Sequence, residues 1–264
     1  SGQRLGHGEM SDHMFLDGLE DVYEKGTLMG VFAERTAKSY GFTREEQDEF
    51  AIRSLTRAKN AIEDGSFREE ITPVSFQDRK GETVIEQDEQ PLSANLEKIP
   101  KLRPAFEKGG TVTAANSSSI SDGAAALVMM TESTAKKQGL TPLARILGHS
   151  SFAQSPDWFT TAPIGAIKKL LEKVGWTKHD VDLFEINEAF ATVTMAAMKD
   201  LDLPAEKVNI HGGACALGHP VGASGTRILV TLISALRKYD KTRGVASLCI
   251  GGGEATAMAV EMLS

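Results

Sequence analysis

The stretch from His211 to Arg227, which reads HGGACALGHPVGASGTR, places the strongest constraint on the fold. It holds five glycines and one proline. A helix interior does not tolerate so many, because glycine costs backbone entropy there and proline lacks the amide donor. The stretch is therefore predicted to be a loop whose backbone approaches a ligand or a catalytic group closely. Helical spacing follows the loop, in the apolar residues Ile228, Leu229, Leu232 and Leu236.

Two further motifs flank this loop in the sequence. The segment NEAFA, residues 187–191, follows a strand-like apolar run over 181–186. The segment CIGGGEATA, residues 249–257, follows another apolar run and contains three consecutive glycines. A helix that opens after a glycine-rich loop offers free N–H groups to an anion or another polar oxygen. Asn187 and Cys249 are each predicted to lie at the end of an apolar strand.

In this order and near this spacing, NEAFA, GGACALGHPVGASG and CIGGGEATA resemble the thiolase family. The resemblance implies an α/β fold, a thiolase-like three-layer α/β/α half with a mixed five-stranded sheet, plus an α+β loop lobe. Residues 1–120 would be the loop lobe, incomplete and in contact with coenzyme A, and residues 121–264 the C-terminal α/β domain. The N-terminal half, which in thiolases carries the acyl-accepting cysteine, is expected to be missing from this chain.

The remaining pattern fits an α/β chain in which strands and helices alternate. A capping box is predicted at Thr43 to Glu46, because a threonine followed three residues later by a glutamate satisfies two amide groups at a helix start. Residues 124–130 form a continuous apolar run and are predicted to be a buried strand or helix. The last two runs, 245–250 and 255–262, are predicted to form a hairpin around the triple glycine.

His219 lies between Gly218 and Pro220 in the glycine-rich loop. It could be a structural histidine that bonds to backbone. A neutral imidazole in this position could instead polarise a carbonyl oxygen or take the proton of a nucleophilic thiol. The resemblance favours the catalytic role. His211 and His149 match no motif and are predicted to be structural.

Cys249 ends an apolar run before the triple glycine, and a buried cysteine of this kind is most often a small hydrophobic residue. The glycine turn is expected to expose the thiol, and the resemblance then makes Cys249 an acid and base catalyst. Cys215 is expected to have a packing role. Asn187 could cap a helix. In thiolases this asparagine holds a water that, with the loop histidine, stabilises an enolate. Gly251 would donate its backbone N–H to a second oxyanion hole.

The resemblance also implies contacts with coenzyme A and the acyl group. Ser118 matches a serine beside the pantetheine arm, and Met29 matches a methionine of the acyl pocket, although Leu28 departs from the histidine that often precedes it. Phe190 and Ala189 would line the pocket. Lys98, Lys101, Arg103 and Lys108 form a basic run, which is either a solvated surface or a contact with the adenosine phosphate, with Arg103 as the representative contact.

Composition excludes several functions. A net charge of −7 argues against nucleic acid as a partner, and no run approaches the length of a membrane span. Two cysteines in 264 residues indicate a reducing compartment, so a cytoplasmic location is expected, although organellar targeting stays open. No group of residues has the spacing of metal ligands. No bound cofactor is expected, because coenzyme A thioesters are the substrates.

By resemblance, the chain is part of an acyltransferase that catalyses reversible Claisen condensation and thiolysis. The reaction converts two acetyl-CoA to acetoacetyl-CoA and coenzyme A, or cleaves a 3-ketoacyl-CoA. The intact enzyme would be a homodimer or homotetramer. Because the nucleophilic half is expected to be missing, the chain alone is predicted to be inactive. The alternative is a non-catalytic acyl-CoA-binding or scaffolding fragment, and a β-ketoacyl synthase is a third interpretation.

Overall fold

The computed structural model describes residues 4–79 and 81–263. Besides short 3-10 and π-helical turns, its helices are α1 (Met29–Tyr40), α2 (Arg44–Glu63), α3 (Glu89–Ser93), α4 (Glu132–Lys137), α5 (Ala162–Val174), α6 (Ala191–Leu201), α7 (Ala214–Leu217) and α8 (Ser224–Lys238). Its strands are β1 (Val74–Asp78), β2 (Gly81–Ile85), β3 (Ala144–Ala153), β4 (Leu183–Ile186), β5 (Arg243–Ile250) and β6 (Glu254–Met262).

One mixed sheet organises the C-terminal part of the chain. Its order is β3-β6-β5-β4, with β4 and β5 parallel and the other neighbours antiparallel. Helices α5 and α6 cover one face through a cluster that includes Ile167 and Phe184. Helix α8 covers the other face through a cluster that includes Leu232 and Leu236. Helix, sheet and helix therefore form the three predicted layers.

The sheet differs from the prediction in one respect. Among the described residues it has four strands instead of five. Val208 makes a single parallel bridge to Phe184 of β4, beyond the edge of the ladder. Where a fifth strand was expected, the chain forms only this one bridge. It then turns at Asn209, which has a φ of 48°, and continues into the loop that begins at His211.

The N-terminal lobe packs against this sheet unit through α1 and α2. Thr43 accepts a hydrogen bond from the Glu46 amide, and the Glu46 carboxylate accepts one from the Thr43 amide, so the predicted capping box begins α2. In the buried interface, the Thr36 and Thr160 hydroxyls lie 2.5 Å apart and Ser54 donates to Glu188. These polar contacts fix the lobe's orientation relative to the loops that follow β4.

The prediction for residues 124–130 is wrong. The segment has no helix or strand in the structure, and most of it is exposed, with Val128 88 % exposed. An apolar run predicts burial only where another element supplies the covering surface, and no element of the described chain covers this one. A separate finding is that no helix of the described residues is long and apolar enough to cross a membrane.

Candidate active site

The ends of two parallel strands bring the three motifs together. Because β4 and β5 run parallel and in register, their carboxyl ends meet at the same edge of the sheet. Asn187 follows β4 directly and donates its amide N–H to the carbonyl of Ser247, at 2.9 Å. Cys249 lies two residues further along β5. The glycine-rich loop and the first turn of α8 close over this edge.

Asn187 contacts His219 at the centre of this arrangement. The Asn187 Nδ2 atom lies 3.4 Å from His219 Nε2. Helix α6 begins only at Ala191, with Phe190 as its N-cap, so Asn187 does not cap it. The Asn187 side chain is 1 % exposed, and its Oδ1 atom has no hydrogen-bond partner. A buried acceptor of this kind is costly unless a ligand or a water satisfies it.

His219 is held by one contact of its ring and one of its backbone. Its Nδ1 atom lies 2.5 Å from the Ser224 hydroxyl, and its backbone N–H donates to the Ser119 carbonyl at 3.0 Å. Burial, and to a lesser degree the nearby Arg227 guanidinium, lower the pKa of His219 to about 4. At neutral pH the imidazole is therefore uncharged, which is the form that can accept a proton.

Cys249 is buried, so the expectation that the glycine turn exposes its thiol is wrong. The residue is 8 % exposed and belongs to a cluster with Phe32, Phe159 and Phe190. The covering aromatic rings come from α1, from the turn before α5 and from the loop before α6. Burial raises the pKa of the thiol to about 12, so the protonated form predominates at neutral pH.

The predicted acyl-pocket residues lie around Cys249. Met29 begins α1 and packs against the same cluster, and Ala189 and Phe190 belong to it. Phe106 also packs there, and its ring meets that of Phe190 edge to face at 6.0 Å. Gly251 follows β5, and a Cβ atom at this position would lie 3.4 Å from the Met29 sulfur. The sequence predictions did not include Phe106, which no motif singles out.

Glu188 holds the loops of the site together through its buried carboxylate. Its carboxylate accepts hydrogen bonds from Ser54 at 2.7 Å, from Asn209 at 2.9 Å and from the Cys215 amide at 3.1 Å. Burial raises the pKa of this carboxyl, although these three hydrogen bonds oppose that effect. A side chain on Gly213 would overlap the carboxylate. The NEAFA turn and the glycine-rich loop are therefore joined through one buried carboxylate. Cys215 is buried in a small apolar cluster with Phe50 and Ala191, as its expected packing role requires.

An open cavity of about 210 Å³ lies beside the glycine-rich loop. Apolar side chains such as Leu55, Ile99 and Leu102 line it, together with Gln90 and Lys98. Ser118 lies on the adjacent segment, where its hydroxyl donates to the Ala189 carbonyl at 2.9 Å. Arg103 is exposed and is not among the residues that line the cavity. Its contact with coenzyme A, like the one assigned to Ser118, stays a prediction.

The sequence matches two family models that together span most of the chain. Residues 1–133 match "Thiolase, N-terminal domain", and residues 140–262 match "Thiolase, C-terminal domain". The chain belongs to the thiolase family. The family and the α/β thiolase fold predicted from the motifs are thereby confirmed. The expectation that only the loop region and the C-terminal half are present needs correction, because residues 1–133 match the N-terminal domain itself.

Several relatives extend this comparison. Acetyl-CoA acetyltransferase of Escherichia coli (strain K12) is 51 % identical over 265 residues, covering 100 % of this chain and 67 % of the relative. The acetyl-CoA acetyltransferase of Thiocystis violacea is 49 % identical over 264 residues, which cover 99 % of this chain and 67 % of the relative. The chain thus spans about two thirds of the length of these relatives.

Solved structures agree with the fold. The crystal structure of Bacillus anthracis acetyl-CoA acetyltransferase superposes with a TM-score of 0.94 at 48 % identity, covering 99 % of this chain and 66 % of that one. Acat5 thiolase from Ascaris suum, in complex with coenzyme A, gives a TM-score of 0.92 at 42 % identity, covering 100 % and 67 %. Within the described residues, no group of three or more His, Cys, Asp or Glu side chains could hold a metal ion.

Proposed function

We propose that this chain carries the acceptor-side machinery of an acetyl-CoA C-acetyltransferase. The enzyme would join two acetyl-CoA molecules to acetoacetyl-CoA and coenzyme A, and would catalyse the reverse thiolysis. The contact between Asn187 and His219 supports the proposal most directly, because it leaves the buried Asn187 Oδ1 unpaired near the strand end that carries Cys249. The names of the relatives, acetyl-CoA acetyltransferases, favour the same reaction.

The residues divide the reaction between them. By the resemblance to thiolases, a nucleophilic cysteine other than Cys215 and Cys249 would attack the thioester carbonyl and release the coenzyme A thiolate, while His219 Nε2 takes the proton of the nucleophile. In the second step a base removes the α-proton of acetyl-CoA, and the enolate carbon attacks the acyl carbonyl and displaces the nucleophile as thiolate. Cys249 is that base once its thiol proton has passed to the coenzyme A thiolate released in the first step, because only the thiolate can take the α-proton. Asn187, through a water on its side chain, stabilises the enolate oxygen.

The protonation states fit the thiolysis direction particularly well. There, Cys249 must deliver a proton to the enolate carbon, and its raised pKa keeps the thiol protonated at neutral pH. His219 must accept a proton, and its lowered pKa keeps the imidazole neutral. The two groups are thus an acid and a base set apart by their surroundings, which is a common arrangement in acid–base catalysis.

The cavity beside the loop is the proposed binding site for coenzyme A. Its apolar lining suits the pantetheine arm, and Lys98 places a positive charge in its wall for a phosphate. The relative from Ascaris suum was solved in complex with coenzyme A, which supports this ligand. An acidic protein needs such a local cation to bind an anionic ligand, because its overall field is repulsive.

A specific observation also favours the second candidate, an acyl-CoA-binding fragment without turnover. Both cysteines of the chain are buried, and both have a raised pKa. Neither is therefore a ready nucleophile. The 264-residue chain by itself is accordingly predicted to bind coenzyme A thioesters without cleaving acetoacetyl-CoA.

The test is an assay of the full-length gene product with acetoacetyl-CoA and free coenzyme A. We expect turnover of about 1 s⁻¹ or more. Asn187→Ala should lower kcat by about 10²- to 10³-fold, as loss of an oxyanion donor does. If the wild type binds coenzyme A without turnover, the enzyme proposal is wrong and the binding fragment remains.

A further inference from the structure

We propose that Ser224 is a positioning residue that keeps the His219 proton on Nδ1, so that Nε2 is unprotonated and can accept the proton of the nucleophile. Ser224 is the first residue of α8, and its side chain is fully buried. The hydroxyl lies 2.5 Å from His219 Nδ1. The kinetic part of this inference rests on the proposed function, whereas the protonation pattern does not.

The neighbours of the Ser224 hydroxyl determine where its proton goes. The oxygen lies 3.0 Å from the Pro220 carbonyl, which can only accept a hydrogen bond. The Pro220 carbonyl also accepts from the Ala223 and Ser224 backbone amides. If the hydroxyl donated to Nδ1 instead, its 3.0 Å contact with this carbonyl would join two oxygens with no proton between them, so we assign the hydroxyl proton to Pro220, and the Ser224 oxygen then accepts from His219. The partner on the ring must then be an Nδ1–H group, because two acceptors do not form a hydrogen bond.

The other side of the ring supports the same tautomer. With the proton on Nδ1, Nε2 is an acceptor and pairs with the Asn187 Nδ2 donor at 3.4 Å. The opposite tautomer requires Asn187 to turn its amide over, which places an NH₂ group where the unpaired Oδ1 now lies. Buried donors without a partner are rarer in proteins than buried acceptors, so this alternative is disfavoured.

The charged group on the same helix favours a neutral ring without selecting a nitrogen. Arg227 lies one turn further along α8 and lowers the pKa of His219, as does burial. Neither effect distinguishes Nδ1 from Nε2. That distinction comes from Ser224 and Pro220 on one side of the ring and from Asn187 on the other.

The tautomer has a consequence for catalysis. When the nucleophilic thiol loses its proton, the proton moves to Nε2 and the ring becomes an imidazolium. Its Nδ1–H remains bonded to Ser224, so the hydrogen bond becomes charge-assisted and stronger at the moment the charge forms. If the proton were on Nε2 instead, the ring would have no lone pair facing the thiol.

The experiment measures the protonation pattern and the acylation rate separately. The full-length gene product is labelled with ¹⁵N in the histidine rings, and the two His219 nitrogens are read by NMR near neutral pH in the wild type, Ser224→Ala and Ser224→Thr. Ser150→Ala is the matched control, because Ser150 is also buried and donates to a carbonyl, that of Ala166, at 2.7 Å but contacts no ring. Acylation by radioactive acetyl-CoA is measured on the same samples.

We expect an unprotonated Nε2 in the wild type and a mixture of both tautomers in Ser224→Ala. Acylation should fall by about 10- to 100-fold in that variant, the value of one hydrogen bond to a charged group. Ser224→Thr keeps the hydroxyl and should restore both readouts, and Ser150→Ala should change neither. A protonated Nε2 in the wild type, or an unchanged tautomer in Ser224→Ala, would overturn the inference while leaving the proposed function intact. Absence of acylation in the wild type, with the expected tautomer, would instead sink the proposed function.

Discussion

At the residue scale, Gly218 sets the position of His219. Its φ is 92° and its ψ is 170°, a region that glycine alone adopts readily. A side chain at this position would also overlap the Ser121 hydroxyl. Gly222, four residues further on in the same loop, has open space where a Cβ atom would be added and no positive φ. The two glycines therefore form a matched pair.

Gly218→Ala should destabilise the protein by about 1–3 kcal/mol and lower kcat, because the strained backbone displaces His219. Gly222→Ala should change the free energy of unfolding by less than about 0.5 kcal/mol. Urea unfolding and the thiolysis assay measure both effects. Equal losses in the two variants would show that the Gly218 backbone does not control the site.

Sequence reasoning reached some residues of the site and missed others, for a physical reason. Asn187 and His219 each follow from a local motif, and the structure places their side chains in contact. The burial of Cys249 could not be predicted, since Phe32 and Phe159 come from segments distant in sequence. Ser224 was missed because its partner, the His219 ring, is identified only by the path of the folded loop.

At the element scale, the short 3-10 helix Leu96–Lys101 presents two lysines in different surroundings. Both lysines are exposed, but Lys98 lines the cavity and Lys101 does not. Lys98→Glu should raise KM for coenzyme A several-fold at low ionic strength, and the effect should shrink as salt screens the charge. Lys101→Glu is the control and should leave KM unchanged. The same increase in KM in both variants would mean that the basic run is a solvated surface without a specific contact to coenzyme A.

Elements with strong local signals were predicted well. Helix α2 begins at its capping box, and Gly41 ends α1 in the left-handed conformation. The structure of residues 124–130 was predicted wrongly, because an apolar run does not reveal which element, if any, covers it. The prediction of a fifth strand was wrong for a related reason. Pairing at Val208 depends on where the chain turns, and only one bridge forms there.

At the scale of the whole molecule, the buried Glu185 and the half-buried Glu70 couple stability to pH. Glu185 is 3 % exposed, and its nearest cation is Arg227, whose NH1 atom lies 3.8 Å away. Burial raises the pKa of Glu185 to about 8, and that of Glu70 to about 7. The folded protein therefore holds protons that the unfolded chain releases above its ordinary glutamate pKa of 4.5. The stability that these two groups contribute consequently falls as the pH rises from that value towards about 8.

Glu185→Gln should remove one such proton. Above pH of about 6.5, where the lowered pKa of both His211 and His219 no longer matters, the free energy of unfolding should fall less steeply in the variant. The difference in slope should reach at most about 1.4 kcal/mol for each pH unit. Urea unfolding between about pH 6.5 and pH 8.5 measures it, with the exposed Glu49→Gln as control. Parallel curves for the wild type and Glu185→Gln would contradict a buried, protonated Glu185.

The most direct test of the account separates the two half-reactions in Cys249→Ser. In rapid-quench labelling of the full-length gene product with radioactive acetyl-CoA, the acyl-enzyme should form at nearly the wild-type rate, since His219 serves the nucleophile. Condensation from that acyl-enzyme should fall by about 10²- to 10⁴-fold, because a serine hydroxyl is too weakly acidic to exchange the α-proton. Loss of the labelled acyl-enzyme, with condensation from pre-acylated enzyme intact, would contradict the assignment of Cys249 as the acceptor-side base.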